Sequence, residues 1–348
     1  MKNNFRKIDL RSLTKKEVKE LVEALSEKPF RAKQLFEWIQ KGVNEFEQMS
    51  NMPKSFREKL EANCILSNVK AIQVLDSSKD ATKKFLFSLS DGNIIESVFM
   101  KYKHGNSVCV STQVGCNMGC TFCASTIDGM ARNLLSGEII GQIMEIQNIT
   151  CERVSNIVLM GSGESLDNFD EVVRFLKLVN DEESLNISMR SITLSTCGIV
   201  PKIIKLADLE LQLTLAISLH AFSDEKRSET MPINKKYDIK SLIEACKYYV
   251  KKTGRRITFE YALIEGKNDL VEDAKGLIKV LRGLNCHINL IPINEVKERG
   301  YRPAKAHNIN KFKELLEKEG LTVTVRRELG SDINAACGQL RKSHLDQK

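Results

Sequence analysis

Three cysteines close together in the first half of the chain have the spacing of a metal-binding loop. Cys116, Cys120 and Cys123 follow the pattern C-x3-C-x2-C, and Gly115 and Gly119 allow the backbone to wrap closely around a bound group. Neighbouring thiolates repel one another, so such a cluster persists when a metal neutralises their charge. The spacing therefore predicts a metal centre in preference to three incidental core cysteines.

Two kinds of metal centre fit these thiols. A structural zinc site needs a fourth ligand, and Cys109 could supply it. A cubane iron–sulfur cluster usually has four thiolate ligands, so three from one loop would leave one iron open for another ligand. Both interpretations stay open on spacing alone.

The loop follows the first of a series of short β-branched segments that alternate with amphipathic ones. Strands are predicted at residues 108–111, 156–160, 191–195, 213–219, 257–263, 288–293 and 321–325. Helices are predicted at residues 137–147, 170–178, 239–251, 269–282 and 311–319. About six strand–helix units predict an α/β fold with a parallel sheet, curved into a partial TIM-like barrel. In such a fold the functional groups lie at the carboxyl ends of the strands.

The rest of the chain divides into smaller parts. Residues 1–68 are predicted to form a helical accessory domain, and 69–104 a β-hairpin extension around Asp91-Gly92. The barrel is predicted over residues 105–341, and 342–348 form a polar tail. Residues 1–63 carry 14 basic and 10 acidic side chains, half of the net charge of +8. This favours an RNA-binding face, although a packing cap for the barrel fits as well.

Composition excludes several classes of protein. The chain has 348 residues, 42% of them hydrophobic and 28% charged, which is too apolar for a disordered protein. Charged residues interrupt every apolar stretch, and no apolar segment follows the first basic residues. We therefore expect a soluble cytoplasmic protein without a membrane partner, with its ten cysteines kept reduced.

The cysteine loop at the end of the first barrel strand resembles the radical S-adenosylmethionine (SAM) superfamily. Further segments resemble its RNA adenine methyltransferases, the RlmN/Cfr family: residues 111–116, 160–164, 194–196, 217–221, 231–234, 289–294 and 332–340. The resemblance covers essentially the whole chain. It implies a 4Fe–4S cluster held by Cys116, Cys120 and Cys123, with SAM on the open iron.

The resemblance also implies a reaction. One SAM methylates a cysteine, and a second supplies an adenosyl radical that turns the methyl group into a carbon radical, which adds to the electron-poor carbon-2 of adenine. The implied substrates are an adenine in the peptidyl-transferase centre of 23S rRNA and adenine 37 of tRNAs. A carbon-8 rRNA methyltransferase that confers antibiotic resistance is the alternative within the family. A non-catalytic, zinc-stabilised nucleic-acid-binding protein is the alternative outside it.

Three residues acquire roles in bond making by this resemblance. Cys337 matches the methylated cysteine, Cys109 the resolving thiol that forms a transient disulfide with Cys337, and Glu96 the proton acceptor. From the residues alone, Cys337 would be a free or buried thiol, Cys109 a zinc ligand or core residue, and Glu96 a solvated strand residue.

The resemblance further implies a set of cofactor-binding residues at the strand ends: Gly163, Glu164, Ser195, Ser218, Leu219, His220 and Asn294. The Glu164 carboxylate could accept hydrogen bonds from the ammonium group of SAM. A lone His220 would otherwise be a hydrogen-bonded core histidine. An electron donor such as flavodoxin or ferredoxin is also implied, and we expect a monomer.

Overall fold

The computed structural model describes residues 7–296, 298–336 and 338–340. Its N-terminal part packs three helices around their own small core: α1 (Lys15–Ala24), α2 (Phe30–Gln40) and α3 (Lys54–Asn63). Thr14 caps the start of α1: its hydroxyl accepts from the Glu17 amide at 3.3 Å, and the Glu17 carboxylate accepts from the Thr14 amide at 2.8 Å. The helical character predicted for this region is confirmed.

A single ten-stranded sheet forms the rest of the framework. Its strands are β1 (Val69–Asp76), β2 (Lys83–Leu89), β3 (Ile94–Tyr102), β4 (Gly105–Cys109), β5 (Val154–Leu159), β6 (Ile192–Thr196), β7 (Thr214–Ser218), β8 (Ile257–Leu263), β9 (Cys286–Pro292) and β10 (Thr322–Val325). They lie side by side in chain order, from β1 at one edge to β10 at the other. Strands β1 to β4 pair antiparallel, and β4 to β10 pair parallel.

Helices connect the parallel strands, as right-handed strand–helix units require. They are α4 (Ser136–Thr150), α5 (Phe169–Asn180), α6 (Val200–Asp208), α7 (Asp224–Thr230), α8 (Ile239–Thr253), α9 (Val271–Leu281) and α10 (Ala306–Lys318). Their apolar faces and one face of the sheet form a large buried core. The carboxyl ends of the parallel strands consequently point to a common edge.

The predicted fold class, an α/β partial barrel built on a mostly parallel sheet, is confirmed. Helices α6 and α7 were not predicted, and β4 begins three residues before the predicted strand. The Asp91-Gly92 turn joins β2 to β3 as expected, and these strands continue the barrel sheet through the β3–β4 pairing. The predicted hairpin extension is thus physically an edge of the same sheet.

Polar contacts join the helical part to the barrel. Arg174 on α5 donates to the Ser12 carbonyl oxygen at 3.1 Å and to the Glu17 carboxylate at 2.8 Å. The Gly137 amide at the start of α4 donates to Ser12 Oγ at 2.8 Å.

In the described part of the chain, no helix has the length and apolar character needed to cross a membrane.

Candidate functional site

The cysteine loop leaves the sheet directly after β4 and folds back on itself. Gly115 has φ +79°, and a Cβ there would overlap the carbonyl oxygen of Gly129. Thr126 Oγ1 donates to the carbonyl oxygens of Cys120 at 2.9 Å and Cys123 at 3.0 Å. Side-chain and backbone contacts therefore hold the loop in one shape, and glycine is required where it turns.

The three loop thiols lie close enough to affect one another electrostatically. Cys116 and Cys120 are buried and Cys123 is partly exposed. Burial raises the pKa of the Cys116 thiol to about 12 and also raises that of Cys120, with the neighbouring thiols adding to the effect. Metal coordination would compensate this cost, because the thiolate is the form that binds metal.

The donor set fits a cluster better than a single ion. Within the described residues, no three His, Cys, Asp or Glu side chains meet where they could hold one metal ion. Each thiolate of a 4Fe–4S cluster binds a different iron, so its ligands surround the cluster and do not converge on one point. Cys109, the fourth ligand of the zinc alternative, packs instead with Val98, Ala335 and Leu340. Cys116, Cys120 and Cys123 therefore remain the predicted ligands of the cluster.

A cavity of about 150 Å³ lies between this loop and the strand ends. It is lined by all three cysteines and by six of the seven predicted cofactor residues: Gly163, Glu164, Ser195, Ser218, His220 and Asn294. Leu219 is buried and lies outside this lining; its backbone amide donates to the Glu260 carbonyl at 3.1 Å. The fold thus brings together residues that are up to 178 positions apart in the sequence (294 − 116).

Glu164 lies in the loop after β5 with its carboxylate fixed by backbone amides. Oε2 accepts from the Cys197 amide at 2.7 Å, and Oε1 accepts from the Leu166 amide at 2.9 Å. Burial raises the pKa of this carboxyl group, and these hydrogen bonds oppose the rise. An ammonium group in the cavity would find a carboxylate already oriented to accept its hydrogen bonds.

Gly161 and Gly163 let the backbone after β5 pass close to the backbone after β4. A Cβ on Gly163 would lie 2.6 Å from Gln113 Cβ, and the residue has φ +111°. A Cβ on Gly161 would lie 2.6 Å from the Val110 carbonyl oxygen. Larger residues at either position would force the two chain segments apart and deform the cavity wall.

His220 is buried, oriented and neutral. Its Nδ1 accepts from the Ala262 amide at 2.9 Å, which leaves the proton on Nε2, and its ring meets Phe122 edge-on at 5.0 Å. Burial lowers the pKa of His220 to about 3, with the Arg227 charge acting in the same direction. It is therefore both a hydrogen-bonded core histidine and a lining residue of the cavity.

Sequence reasoning missed Arg227, which ties the strand ends together. This fully buried side chain donates to the carbonyl oxygens of Cys197 at 2.6 Å, Ser218 at 3.1 Å and Leu219 at 3.1 Å, and to Asn234 Oδ1 at 3.1 Å. A lone Arg in a short polar helix carries no signal of this role, but Asn234 belongs to the recognised segment 231–234.

Glu260 is a second residue that sequence reasoning missed. It lies on β8, is buried and lines the cavity. Its Oε2 accepts from Asn289 Nδ2 at 2.8 Å, and burial raises the pKa of the carboxyl group. The alternation of the β8 sequence gives no indication that this side chain faces a site.

The predicted bond-making residues lie around the C-terminal segment. Cys337 lies outside the described residues, but its neighbours contact the cysteine loop: the Ala124 amide donates to the Gly338 carbonyl at 2.8 Å, and Ser125 Oγ donates to the Leu340 carbonyl at 2.7 Å. Cys109 ends β4 and belongs to the same buried cluster as Ala335 and Leu340. The residues flanking Cys337 are thus in contact with two elements of the site.

Glu96 lies on β3 and is 1% exposed, so it is not on a solvated face. Its Oε1 lies 2.8 Å from Lys84 Nζ, and Lys84 Nζ donates to the Asn334 carbonyl at 3.3 Å. The structure therefore places Glu96 in an ion pair that contacts the segment leading to Cys337.

A larger, more polar cavity of about 630 Å³ adjoins the first. The two share Ile291, Ile293 and Asn294 in their linings. The second is also lined by Tyr102, by Arg326 and Arg327, and by the acidic residues Glu295 and Glu328. Arginine side chains can contact phosphate groups, and a tyrosine ring can stack on a base.

Comparisons with known proteins agree with this geometry. The radical SAM superfamily model matches residues 110–281, and the model of the ribosomal RNA large subunit methyltransferase N-terminal domain matches residues 8–66. A Clostridium novyi protein described as "probable dual-specificity RNA methyltransferase RlmN" is 57% identical over 96% of this chain and 98% of its own length. A Lachnoclostridium phytofermentans protein with the same description is 51% identical over 100% of this chain and 98% of its own.

Among solved structures, a radical SAM methyltransferase from Sphaerobacter thermophilus superposes with a TM-score of 0.91 at 40% identity, covering 97% of this chain and 100% of that one. The fold and the three-cysteine loop are those of a radical SAM enzyme, whose cofactors are a 4Fe–4S cluster and SAM. Within that class, the chain belongs to the RlmN family of RNA methyltransferases.

Proposed function

We propose that this chain methylates carbon-2 of an adenine in 23S rRNA and of adenine 37 in tRNAs. The observation that carries the proposal is the single cavity that combines Cys116, Cys120 and Cys123 with Gly163 and Glu164 at the strand ends. Full-length similarity to relatives described as dual-specificity RNA methyltransferases supports the substrate class.

The bound cofactors would supply a one-electron route to a carbon radical, which an electron-poor ring carbon requires. The three loop cysteines would hold the cluster, and Glu164 would orient the amino group of SAM. Ser195, Ser218, His220 and Asn294 would complete the cofactor site, and Leu219, which lies outside the cavity lining, would support it from behind. Leu159, Met160 and Met231 form an apolar part of the cavity wall.

Three residues would handle the carbon unit and the proton. Cys337 would carry the methyl group, and Glu96 would accept the proton that carbon-2 loses. The Cys109 thiolate would then attack the Cys337 sulfur of the protein–RNA thioether. A transient disulfide would form as the sulfur–carbon bond breaks, and the carbon that keeps the electron pair would take up a proton to become the methyl group of the product. Cys109 shares a buried cluster with Ala335 and Leu340, which lie on either side of Cys337 in the sequence, and this supports the pairing.

Variants of the two thiols separate these roles. Cys337→Ala should block loading of the methyl group onto the protein, seen as the absence of a one-methyl mass increase. Cys109→Ala should load normally and then trap a covalent RNA–protein adduct, visible as a retarded band. Free methylated RNA from the Cys109 variant would contradict its role.

The remaining parts of the proposal concern partners and location. The helical part with its basic excess would contact RNA, and Arg326 and Arg327 would contact phosphates beside the target base. Flavodoxin or ferredoxin would deliver electrons, and the enzyme would act as a monomer in the cytoplasm.

Isomer analysis of cellular RNA tests the proposed function. The chain is expressed in cells that lack their own adenine carbon-2 methyltransferase, and rRNA and tRNA are digested to nucleosides and separated by mass spectrometry. We expect 2-methyladenosine in both RNAs with the wild type and none with Cys120→Ala. Appearance of 8-methyladenosine instead would establish the carbon-8 alternative, and no methyladenosine would refute both.

A further inference from the structure

The buried ion pair between Lys84 and Glu96 is unusual for its position in the fold. Its two side chains are 4% and 0% exposed, and Nζ and Oε1 are 2.8 Å apart. Glu96 lies opposite Leu86 in the β2–β3 register, so Lys84, two residues away, reaches it along the same face. Both charges have therefore been removed from water between two adjacent strands.

Stability alone does not explain such a pair. Desolvating two charges costs about as much as their attraction returns, and well-packed apolar residues of similar volume are often at least as stabilising. The neighbouring side chains on this face of the two strands are apolar, with Leu86, Val98 and Met100 buried beside the pair. A buried carboxylate held at a fixed point is more readily explained by its use in chemistry.

Lys84 also connects Glu96 to the C-terminal segment. Its Nζ donates to the Asn334 carbonyl at 3.3 Å, three residues before Cys337. The turn between β1 and β2 holds the same segment, because Asp332 accepts from the Ser78 amide at 2.8 Å and from Ser77 Oγ at 2.8 Å. Strands β1 to β3 thus hold the Glu96 carboxylate in a fixed position relative to the segment that leads to Cys337.

We propose that Lys84 is a positioning residue that holds the Glu96 carboxylate at the place where it accepts the proton of the target carbon. The inference rests on the proposed function, in which Glu96 is the proton acceptor. In that step the carbon-2–hydrogen bond breaks, its electron pair stays in the ring, and the proton forms an O–H bond on Glu96. Lys84 touches neither the base nor the cofactor in this assignment, and acts through Glu96 and Asn334.

The test separates methyl loading of the protein from transfer to RNA. Lys84→Met keeps the side-chain length without the charge, and Lys84→Arg keeps the charge. Lys83→Met is a matched control, because Lys83 directly precedes Lys84 on β2 and forms an ion pair with Asp76 near the surface. Each holoenzyme is loaded with methyl on Cys337, and single-turnover transfer to RNA is measured.

Lys84→Met should load like the wild type and transfer about 10- to 100-fold more slowly, the range expected when a catalytic group is displaced. Lys84→Arg should recover most of the rate, and Lys83→Met should transfer like the wild type. Transfer by Lys84→Met at the Lys83→Met rate would overturn the inference.

A second comparison covers the case in which an unpaired buried Glu96 prevents folding of Lys84→Met. Glu96→Gln and the double variant Lys84→Met/Glu96→Gln leave no uncompensated carboxylate. If Lys84 acts through Glu96, both should load, and both should transfer at the same reduced rate. Slower transfer by the double variant than by Glu96→Gln would overturn the inference.

The outcomes also distinguish this inference from the proposed function. If Glu96→Gln loses transfer and Lys84→Met retains it, only the role of Lys84 fails. If Glu96→Gln transfers normally, the proposed role of Glu96 fails, and the inference with it. If the wild type yields no methyladenosine, the proposed function itself is wrong.

Discussion

Replacement of Arg227 by methionine is expected to weaken the whole strand-end framework. The guanidinium donates to four acceptors at 2.6–3.1 Å, three of them backbone carbonyls at the carboxyl ends of β6 and β7. The Leu219 carbonyl also accepts from the Ala221 amide at 2.8 Å, so the variant takes a donor from three acceptors that this bond does not serve. A buried acceptor that loses its donor costs about 1 kcal/mol at the low end, so three cost about 3 kcal/mol. Removal of a buried charge offsets part of this loss, and we expect a net destabilisation of about 2 kcal/mol.

Urea unfolding of the anaerobic holoenzyme, followed by circular dichroism, measures this change. Arg227→Lys should fall between the wild type and Arg227→Met, because an ammonium reaches fewer of the four acceptors than the planar guanidinium. Arg153→Met is the control: Arg153 is exposed and donates one long bond of 3.4 Å to the Asn186 carbonyl, so its loss should cost under about 0.5 kcal/mol.

The same framework shapes the cofactor cavity. Arg227 donates to the carbonyl oxygens of Ser218 and Cys197, and the Cys197 amide in turn donates to the Glu164 carboxylate. Equilibrium binding of SAM to Arg227→Met should be at least about 10-fold weaker. If the free energy of unfolding of Arg227→Met lies within about 1 kcal/mol of the wild-type value, Arg227 is not the residue that joins these strand ends.

Three further perturbations have defined outcomes. Cys120→Ala should lose the iron and the visible absorbance of the protein purified without oxygen. Cys246→Ala, which changes a buried core cysteine, should keep both. Equal iron content in the two variants would contradict the assignment of Cys120 as a ligand. Gly163→Ala places a Cβ 2.6 Å from Gln113 Cβ at a residue with φ +111°. The affinity for SAM, measured by calorimetry, should therefore fall about 10-fold or more. An unchanged affinity would count against the close approach of the two backbone segments. Because burial lowers the pKa of His220 from 6.5 to about 3, the unfolded chain binds the extra proton between these pH values, so stability should rise with pH there. In unfolding titrations His220→Asn should show a smaller slope than the wild type, and an identical slope would show that His220 is protonated in the folded protein.

The parts of the site carried by short-range sequence pattern could be predicted. The C-x3-C-x2-C spacing predicts a metal loop because three thiols at that spacing have few other uses, and Gly163 and Glu164 follow a strand whose apolar run is plain. The structure brings these residues into one cavity. Strand–helix alternation likewise predicts the parallel sheet.

What depends on long-range packing could not be predicted. The β2–β3 hairpin shows its own turn, but nothing in its sequence states that β3 pairs with β4 and continues the barrel. Lys84 and Arg227 resemble ordinary solvated residues in the sequence, since only the folded chain shows that each is buried against partners from other segments. Burial of a charge is a property of the assembled core and has no local signal.

The open iron position can be tested by electron paramagnetic resonance of the reduced, anaerobically reconstituted protein with and without SAM. If Cys116, Cys120 and Cys123 are the only protein ligands, SAM binds the fourth iron and the spectrum of the cluster changes. A spectrum that SAM leaves unchanged, or a colourless protein containing zinc, would contradict a three-thiolate cluster with one position open for the cofactor.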